Sequence, residues 1–221
     1  MTANITIVSP PPKKYCTIKR IGIFGSADVD EQHPVYQQTF AVCQRLASAG
    51  KIIVDGGGPG VMAAATLGAR AGGGQTIAVT FKPKDMPEFE GRYAGNDTDL
   101  EIVTTNYIER MFGLVEQSDA FIIFQGGTGT LSEWSTVWLL AHLHYGNHKP
   151  VILYGSFWPE FMEVVNKTFF IGDKERLVYR IAQNPDEVAA HLRTFEQELS
   201  DRCGLPSYAG SEDAGAEHPA A

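Results

Sequence analysis

Six short apolar runs punctuate this chain: RIGIFGS, KIIVDGGG, QTIAVTF, LEIVTT, DAFIIF and PVILYG. Most of the segments between them repeat apolar residues at helical spacing, as in PVYQQTFAVCQRLASAG before the stop at Gly50. Further helices are expected over PGVMAAATLGARAGG, over YIERMFGLVEQ, from about Thr128 to Tyr145, from Trp158 to Phe169 and from near Pro185 to Ser200. A strand that is apolar along its whole length, without polar alternation, must be covered on both faces. Alternating with helices, such strands predict an α/β fold: a doubly wound, mostly parallel, Rossmann-like sheet with helices on both sides. Residues 1–17 read as an N-terminal arm, 18–203 as a single nucleotide-binding domain, and 204–221 (GLPSYAGSEDAGAEHPAA) as a disordered tail too polar to pack.

In an open parallel sheet, ligands bind beyond the carboxyl ends of the strands. Three runs end there in glycine-rich loops: FGSAD (Phe24–Asp28), DGGGPGVM (Asp55–Met62) and QGGTGTLSE (Gln125–Glu133). Glycine lets the main chain approach a ligand closely. In the third loop the chain then enters a helix whose first N–H groups lack intrahelical acceptors and carry the positive end of the dipole. A phosphate fits that position, with Thr128 and Thr130 adding hydroxyl donors. Neither the P-loop pattern nor the G-x-G-x-x-G fingerprint is present. A second reading of the same loop is a plain strand-to-helix turn, with Thr130 and Glu133 forming a T-x-x-E capping box.

Glu133 is expected in the first turn of its helix, one turn from the proposed phosphate seat, where a carboxylate repels phosphate. Its reach is toward a neighbouring sugar, where it can stabilise an oxocarbenium-like centre or orient water. Arg110 opens the helix leading into DAFIIF and faces the same rim, or else pairs with Glu109 or Glu116. The connection Lys82–Asp99, rich in Pro, Gly and charge, reads as a lid, a surface excursion or an oligomer contact.

Charge and composition narrow the partners. A formal net charge of −8 argues against a nucleic-acid surface, which needs a basic patch, but leaves room for a small anion held by local donors. Cys16, Cys43 and Cys203 are too few and too scattered for a disulfide framework or a zinc site and are expected to be reduced thiols. His142, His144 and His148 do not share one helical face, so no metal is expected. Trp134 and Trp138 lie four apart on one face and are expected in the core or at a dimer interface. Asp55 either contacts a ligand or caps its glycine turn. The N-terminus lacks a basic start followed by an apolar run, and no window approaches the roughly 18 apolar residues of a membrane span, so a cytoplasmic protein is expected.

GGGPGVMAAATLGA together with ERMFGLVEQSDAFIIFQGGTGTLSEW resembles the LONELY GUY family, Rossmann-like enzymes long mislabelled as lysine decarboxylases. The resemblance runs from about Ile21 to Trp158. It implies hydrolysis of the N-glycosidic bond of a nucleoside 5′-monophosphate, releasing free base and ribose 5-phosphate, by a homodimer or larger assembly. Carried over by position, it implies that Gly126, Gly127, Thr128, Gly129 and Thr130 hold the phosphate. Glu133 would act at the ribose and Arg110 would be the second catalytic residue, while Ser26, Gly57, Gly58, Gly60 and Met62 line the nucleotide. Three positions depart from the family pattern: Gln125 replaces a proline and adds an amide at the strand end, Met111 replaces a lysine, and Ala63 replaces an acid. Pyridoxal phosphate chemistry would need a Schiff-base lysine beside a glycine-rich phosphate loop, which is absent, and no cofactor is expected. The alternative is a non-catalytic carrier of a phosphorylated ligand, a nucleotide or a molybdopterin-type cofactor, favoured by Met111 and Gln125.

Overall fold

The computed structural model describes residues 17–87 and 89–203. The expected arm, apart from Thr17, and the expected tail lie outside the described residues. The chain runs β1 (Arg20–Phe24), α1 (Pro34–Ser48), β2 (Ile52–Asp55), α2 (Val61–Ala71), β3 (Thr76–Phe81), β4 (Leu100–Thr104) and α3 (Tyr107–Gln117). It continues β5 (Ala120–Ile123), α4 (Thr128–Leu143), β6 (Val151–Tyr154), α5 (Trp158–Thr168), α6 (Asp173–Leu177), β7 (Tyr179–Ala182) and α7 (Pro185–Cys203). One seven-stranded sheet results, ordered β4-β3-β2-β1-β5-β6-β7, with every neighbouring pair parallel. The expected doubly wound α/β architecture is what forms.

Residue alternation along the strands divides the core between two faces. Ile21, Ile23, Ile122 and Phe124 pack against Val42, Cys43 and Leu46 of α1, Val61 and Ala65 of α2, and Leu192 and Phe195 of α7. On the opposite face Phe24, Phe121 and Ile123 meet Leu114 of α3, Trp134 and Val137 of α4, and Trp158 and Met162 of α5. Both tryptophans of α4 belong to this layer. Trp134 is buried against Trp158, and Trp138 stacks on Trp134 at 5.0 Å while donating its Nε1–H to the Glu175 carbonyl.

α6 and β7 were not expected from the sequence pattern, and their presence extends the sheet by one strand beyond β6. Cys43 is free and buried, but Cys203 is disulfide-bonded, which corrects the expectation of reduced thiols at that position; Cys16 lies outside the described residues. His148 is buried and stacked on Tyr145, whereas His144 is exposed at the end of α4. Among the described residues no helix is long and apolar enough to cross a membrane.

Strand order reverses direction between β1 and β5: from β1 the chain winds outward through β2, β3 and β4, and from β5 through β6 and β7. Loops leaving two such adjacent strands diverge to opposite faces and open a crevice between them. The loop after β1 is pinned on both sides, since the Ser26 N–H donates to the Gln125 carbonyl (3.1 Å) and the Val61 N–H donates to the Ser26 carbonyl (2.9 Å). All three glycine-rich loops are thereby joined at one rim.

Candidate active site

A cavity of about 310 Å³ fills this crevice. Gly25, Ser26, Ala27 and Asp28 form one wall, and Gly127, Thr128, Gly129 and Thr130 at the start of α4 form another. α4 is capped by Gly127 with no side-chain acceptor, and its first i→i−4 hydrogen bond runs from the Leu131 N–H to the Gly127 carbonyl (3.0 Å). The N–H groups of Thr128, Gly129 and Thr130 therefore have no intrahelical acceptor, and these residues line the cavity, an arrangement chemically suited to an anion. The expected capping box between Thr130 and Glu133 does not form, because the helix begins at Thr128 and Glu133 is its sixth residue, in the second turn.

Glu133 reaches the cavity from that second turn with only 11% of its side chain exposed. Burial raises its carboxyl to a pKa of about 7, against the lowering pull of Arg110 and with a smaller raising contribution from Glu90. Arg110, 3% exposed, lies 4.0 Å from Glu133 through Nη1 and 3.8 Å from Glu90 through Nη2. Its guanidinium is fixed by main chain: Nε donates to the Val79 carbonyl and Nη2 to the Gly56 carbonyl, each at 3.2 Å. Nη2 also lies 3.6 Å from Met62 Sδ, and the Phe89 ring packs over the guanidinium at 5.4 Å. Glu109, the neighbour first considered as its partner, is engaged elsewhere, accepting from the Thr105 N–H and hydroxyl at the start of α3.

The remaining sequence-predicted positions divide. Ser26 and Met62 line the cavity with Arg110, Glu133 and Gly127–Thr130, whereas Gly57, Gly58, Gly60, Gly126 and Gln125 do not. Gly60 starts α2 at φ +62° and passes so close to Ser26 that a Cβ there would meet its carbonyl oxygen at 2.4 Å. Gly57 and Gly58 anchor the long connection: the Gly57 carbonyl accepts from the Tyr93 N–H and from Arg92, and the Gly58 carbonyl accepts from Asn96. Gly126 allows Thr130 to close against the loop, since a Cβ there would lie 2.2 Å from Thr130 Oγ1. Gln125 opens into a different cavity. Met111 faces α4, where its sulfur accepts from the Thr136 hydroxyl at 3.6 Å, and it does not line the site. The charge lost by replacing a lysine there is therefore not a charge lost from the cavity wall.

Asp55 settles on the turn-capping alternative. Fully buried, it accepts from the Gly57 N–H (2.7 Å), the Thr66 hydroxyl (2.8 Å) and the Asn96 amide (3.2 Å). Burial raises its pKa to about 6, opposed by these three bonds and by Arg110.

Sequence reasoning missed Phe89, Glu90 and Tyr107 as cavity residues. The first two belong to Lys82–Asp99, the connection singled out for its length, and the Phe89 ring is held between Phe81 (4.6 Å) and Tyr107 (6.3 Å). Tyr107 is the first residue of α3, three before Arg110, so helical spacing alone places both on one side.

A Rossmann-like sheet with a ligand crevice at its switch point, an amide seat and a buried Arg–Glu pair defines the class. Within that class, the chain belongs to the SLOG cluster4 family, whose model matches residues 18–188. An uncharacterized protein of Archaeoglobus fulgidus is 32% identical over 52% of this chain and 71% of its own length. A cytokinin riboside 5′-monophosphate phosphoribohydrolase of Mycobacterium tuberculosis is 39% identical over 49% of this chain, and one of Mycobacterium marinum 36% identical over 55%. The matched segments span 56% and 62% of those two enzymes. Among solved structures, a molybdenum cofactor binding protein from Rippkaea orientalis shares the fold at TM-score 0.61 and 24% identity, covering 80% of this chain and 97% of its own. DNA processing protein A from Helicobacter pylori also shares it, at TM-score 0.54 and 19% identity, covering 88% and 95%.

Proposed function

We propose that this protein hydrolyses the N-glycosidic bond of a nucleoside 5′-monophosphate, giving free base and ribose 5-phosphate. One observation carries the reading: a buried carboxylate, Glu133, titrating near pH 7 beside a main-chain-fixed arginine, lies one helical turn beyond a row of unpaired amides. The amides of Thr128–Thr130 would hold the 5′-phosphate, which places the ribose toward Glu133. As C1′ develops positive charge, the Glu133 carboxylate stabilises it and accepts a proton from the attacking water. The water oxygen bonds to C1′ while the C1′–N bond breaks, its electron pair leaving with the base, which is then protonated by the proton that Glu133 took from the water. Arg110 favours the ionised form of Glu133 against the effect of burial and offsets charge on the departing base. No metal or redox cofactor is required by this scheme. The two mycobacterial relatives, named for this reaction, support it.

The same reading expects a homodimer in the cytoplasm. Support comes from large apolar side chains left exposed on α3 (Ile108, Phe112) and α4 (Leu131, Leu139, Leu143), the kind of surface that marks contacts between proteins.

Incubation with AMP, other nucleoside monophosphates and cytokinin ribotides, followed by chromatography for free base, tests the activity. Release of base that disappears in Glu133→Ala is the expected result. Binding of several monophosphates with no turnover would replace hydrolysis with a carrier role for a phosphorylated ligand.

A further inference from the structure

A second cavity, of about 460 Å³, opens at the carboxyl ends of β5, β6 and β7, on the α1 side of the sheet. It shares no lining residue with the crevice holding Glu133. Phe124 and Tyr154 form an aromatic floor, their ring centroids 4.7 Å apart, and Phe157 stands beside them. Around the floor four elements each contribute a neutral polar side chain: Gln38 from α1, Gln125 after β5, Ser156 after β6 and Gln183 after β7. All four are exposed residues, so their amide and hydroxyl groups stand open to solvent and to a ligand at the mouth of the cavity. His33 closes one side; its Nδ1 accepts from the Val35 N–H (3.2 Å), so in the neutral ring Nε2 carries the proton and is left to donate.

No aspartate, glutamate, lysine or arginine lines this cavity. A phosphate or carboxylate entering it would give up water without meeting a counter-charge, which disfavours anions and cations alike. Three primary amides instead offer paired donors and acceptors, and an amide matches in bidentate fashion the N–H/C=O or N–H/N edge of a flat heterocycle. The aromatic floor supplies a surface on which such a ring can stack, and the volume lies within the range of small-molecule sites.

We propose that the cavity formed by Gln38, Gln125, Ser156 and Gln183 over Phe124 and Tyr154 is a second ligand site, taking an uncharged planar nitrogen heterocycle of the nucleobase type. The site is independent of the phosphate seat on α4 and does not depend on the hydrolase reading.

The test is isothermal titration of the full chain with adenine, hypoxanthine, cytosine and uracil, each with and without saturating ribose 5-phosphate. Expected is saturable one-to-one binding of at least one base, with an affinity unchanged by ribose 5-phosphate and by Glu133→Gln. Gln183→Ala should weaken it by roughly tenfold, the scale of a lost hydrogen-bonded partner. Ser156→Trp, which fills the mouth, should abolish it while leaving the melting temperature in place. Absence of saturable binding by all four bases overturns the proposal. So does displacement of the base by ribose 5-phosphate, loss of binding in Glu133→Gln, or retention of full affinity in Ser156→Trp. Binding of D-glucose in preference to every base would assign the cavity to sugars and overturn it equally. Ribose 5-phosphate binding is read separately in the same titrations, so failure of the hydrolase reading and failure of this one are distinguishable.

Discussion

Gly56 and Arg110 approach so closely that a Cβ on Gly56 would lie 1.8 Å from Arg110 Nη2, whose hydrogen bond to the Gly56 carbonyl measures 3.2 Å. Glycine at this position is thus a condition for where the guanidinium stands. Gly56→Ala should displace Arg110 by about an ångström and lower kcat on the order of 10²-fold. Steady-state kinetics on AMP or the best monophosphate substrate check this, and unchanged kcat would mean that the arginine's position does not matter to turnover.

The pH dependence of turnover should report Glu133. Its carboxyl titrates near 7 and works ionised, so kcat should rise with pH through an apparent pKa of about 7. Because Glu90 pushes that pKa up, Glu90→Gln should move the limb to lower pH, while Glu133→Gln should remove the limb together with most of the activity. A pH–rate series on the three proteins reads all of these effects.

Stability should depend on pH through Asp55. Its folded pKa of about 6 exceeds its ordinary value of 3.8, so the native state holds this proton more tightly than the unfolded chain does. That contribution is fully present below about pH 3.8, declines as pH rises through 6 and is absent above it, a loss of up to roughly 3 kcal/mol. Asp55→Asn should flatten the slope of urea-derived stability between pH 4 and about 7 while keeping an acceptor for the Gly57 N–H.

Assembly should depend on the outer face of α4. The double variant Leu139→Asp, Leu143→Asp changes side chains that are 54% and 64% exposed, so the protomer fold should survive. Light scattering should show the mass fall from dimer to monomer, and a wild-type chain already monomeric would contradict the proposed homodimer.

What the sequence discloses of this fold follows from burial. β5 (AFII) is buried throughout, and a run without polar residues can be read directly as a covered strand; β3 is equally buried, its two threonines satisfied by Asp99 and Glu101. β7, YRIA, hides because Arg180 interrupts it. The guanidinium lies 4.1 Å from the centre of the Phe195 ring and hydrogen-bonds Glu198 at 2.6 Å, so a charged residue is accommodated in a strand that linear reading takes as loop. The helix-borne residues Glu133 and Arg110 are legible because they sit on elements of fixed period; Tyr107, overlooked though it lies three before Arg110 on the same helix, is open to the same reading. Phe89 and Glu90 are not, since their approach to Arg110 is set by long-range hydrogen bonds from Arg92, Tyr93 and Asn96 to the Gly57–Gly58 turn, which no local pattern encodes. Met111 and Gln125 mislead for a related reason: one position along a helix turns a side chain about a quarter of the way around, and one position along a strand turns it to the opposite face.

The tethering of Arg110 to the carbonyls of Val79 and Gly56 means that its rotamer freedom is surrendered when the sheet assembles. A ligand arriving at the crevice meets a cation already aimed, and the ordering cost that a flexible surface arginine would charge against affinity falls on folding instead.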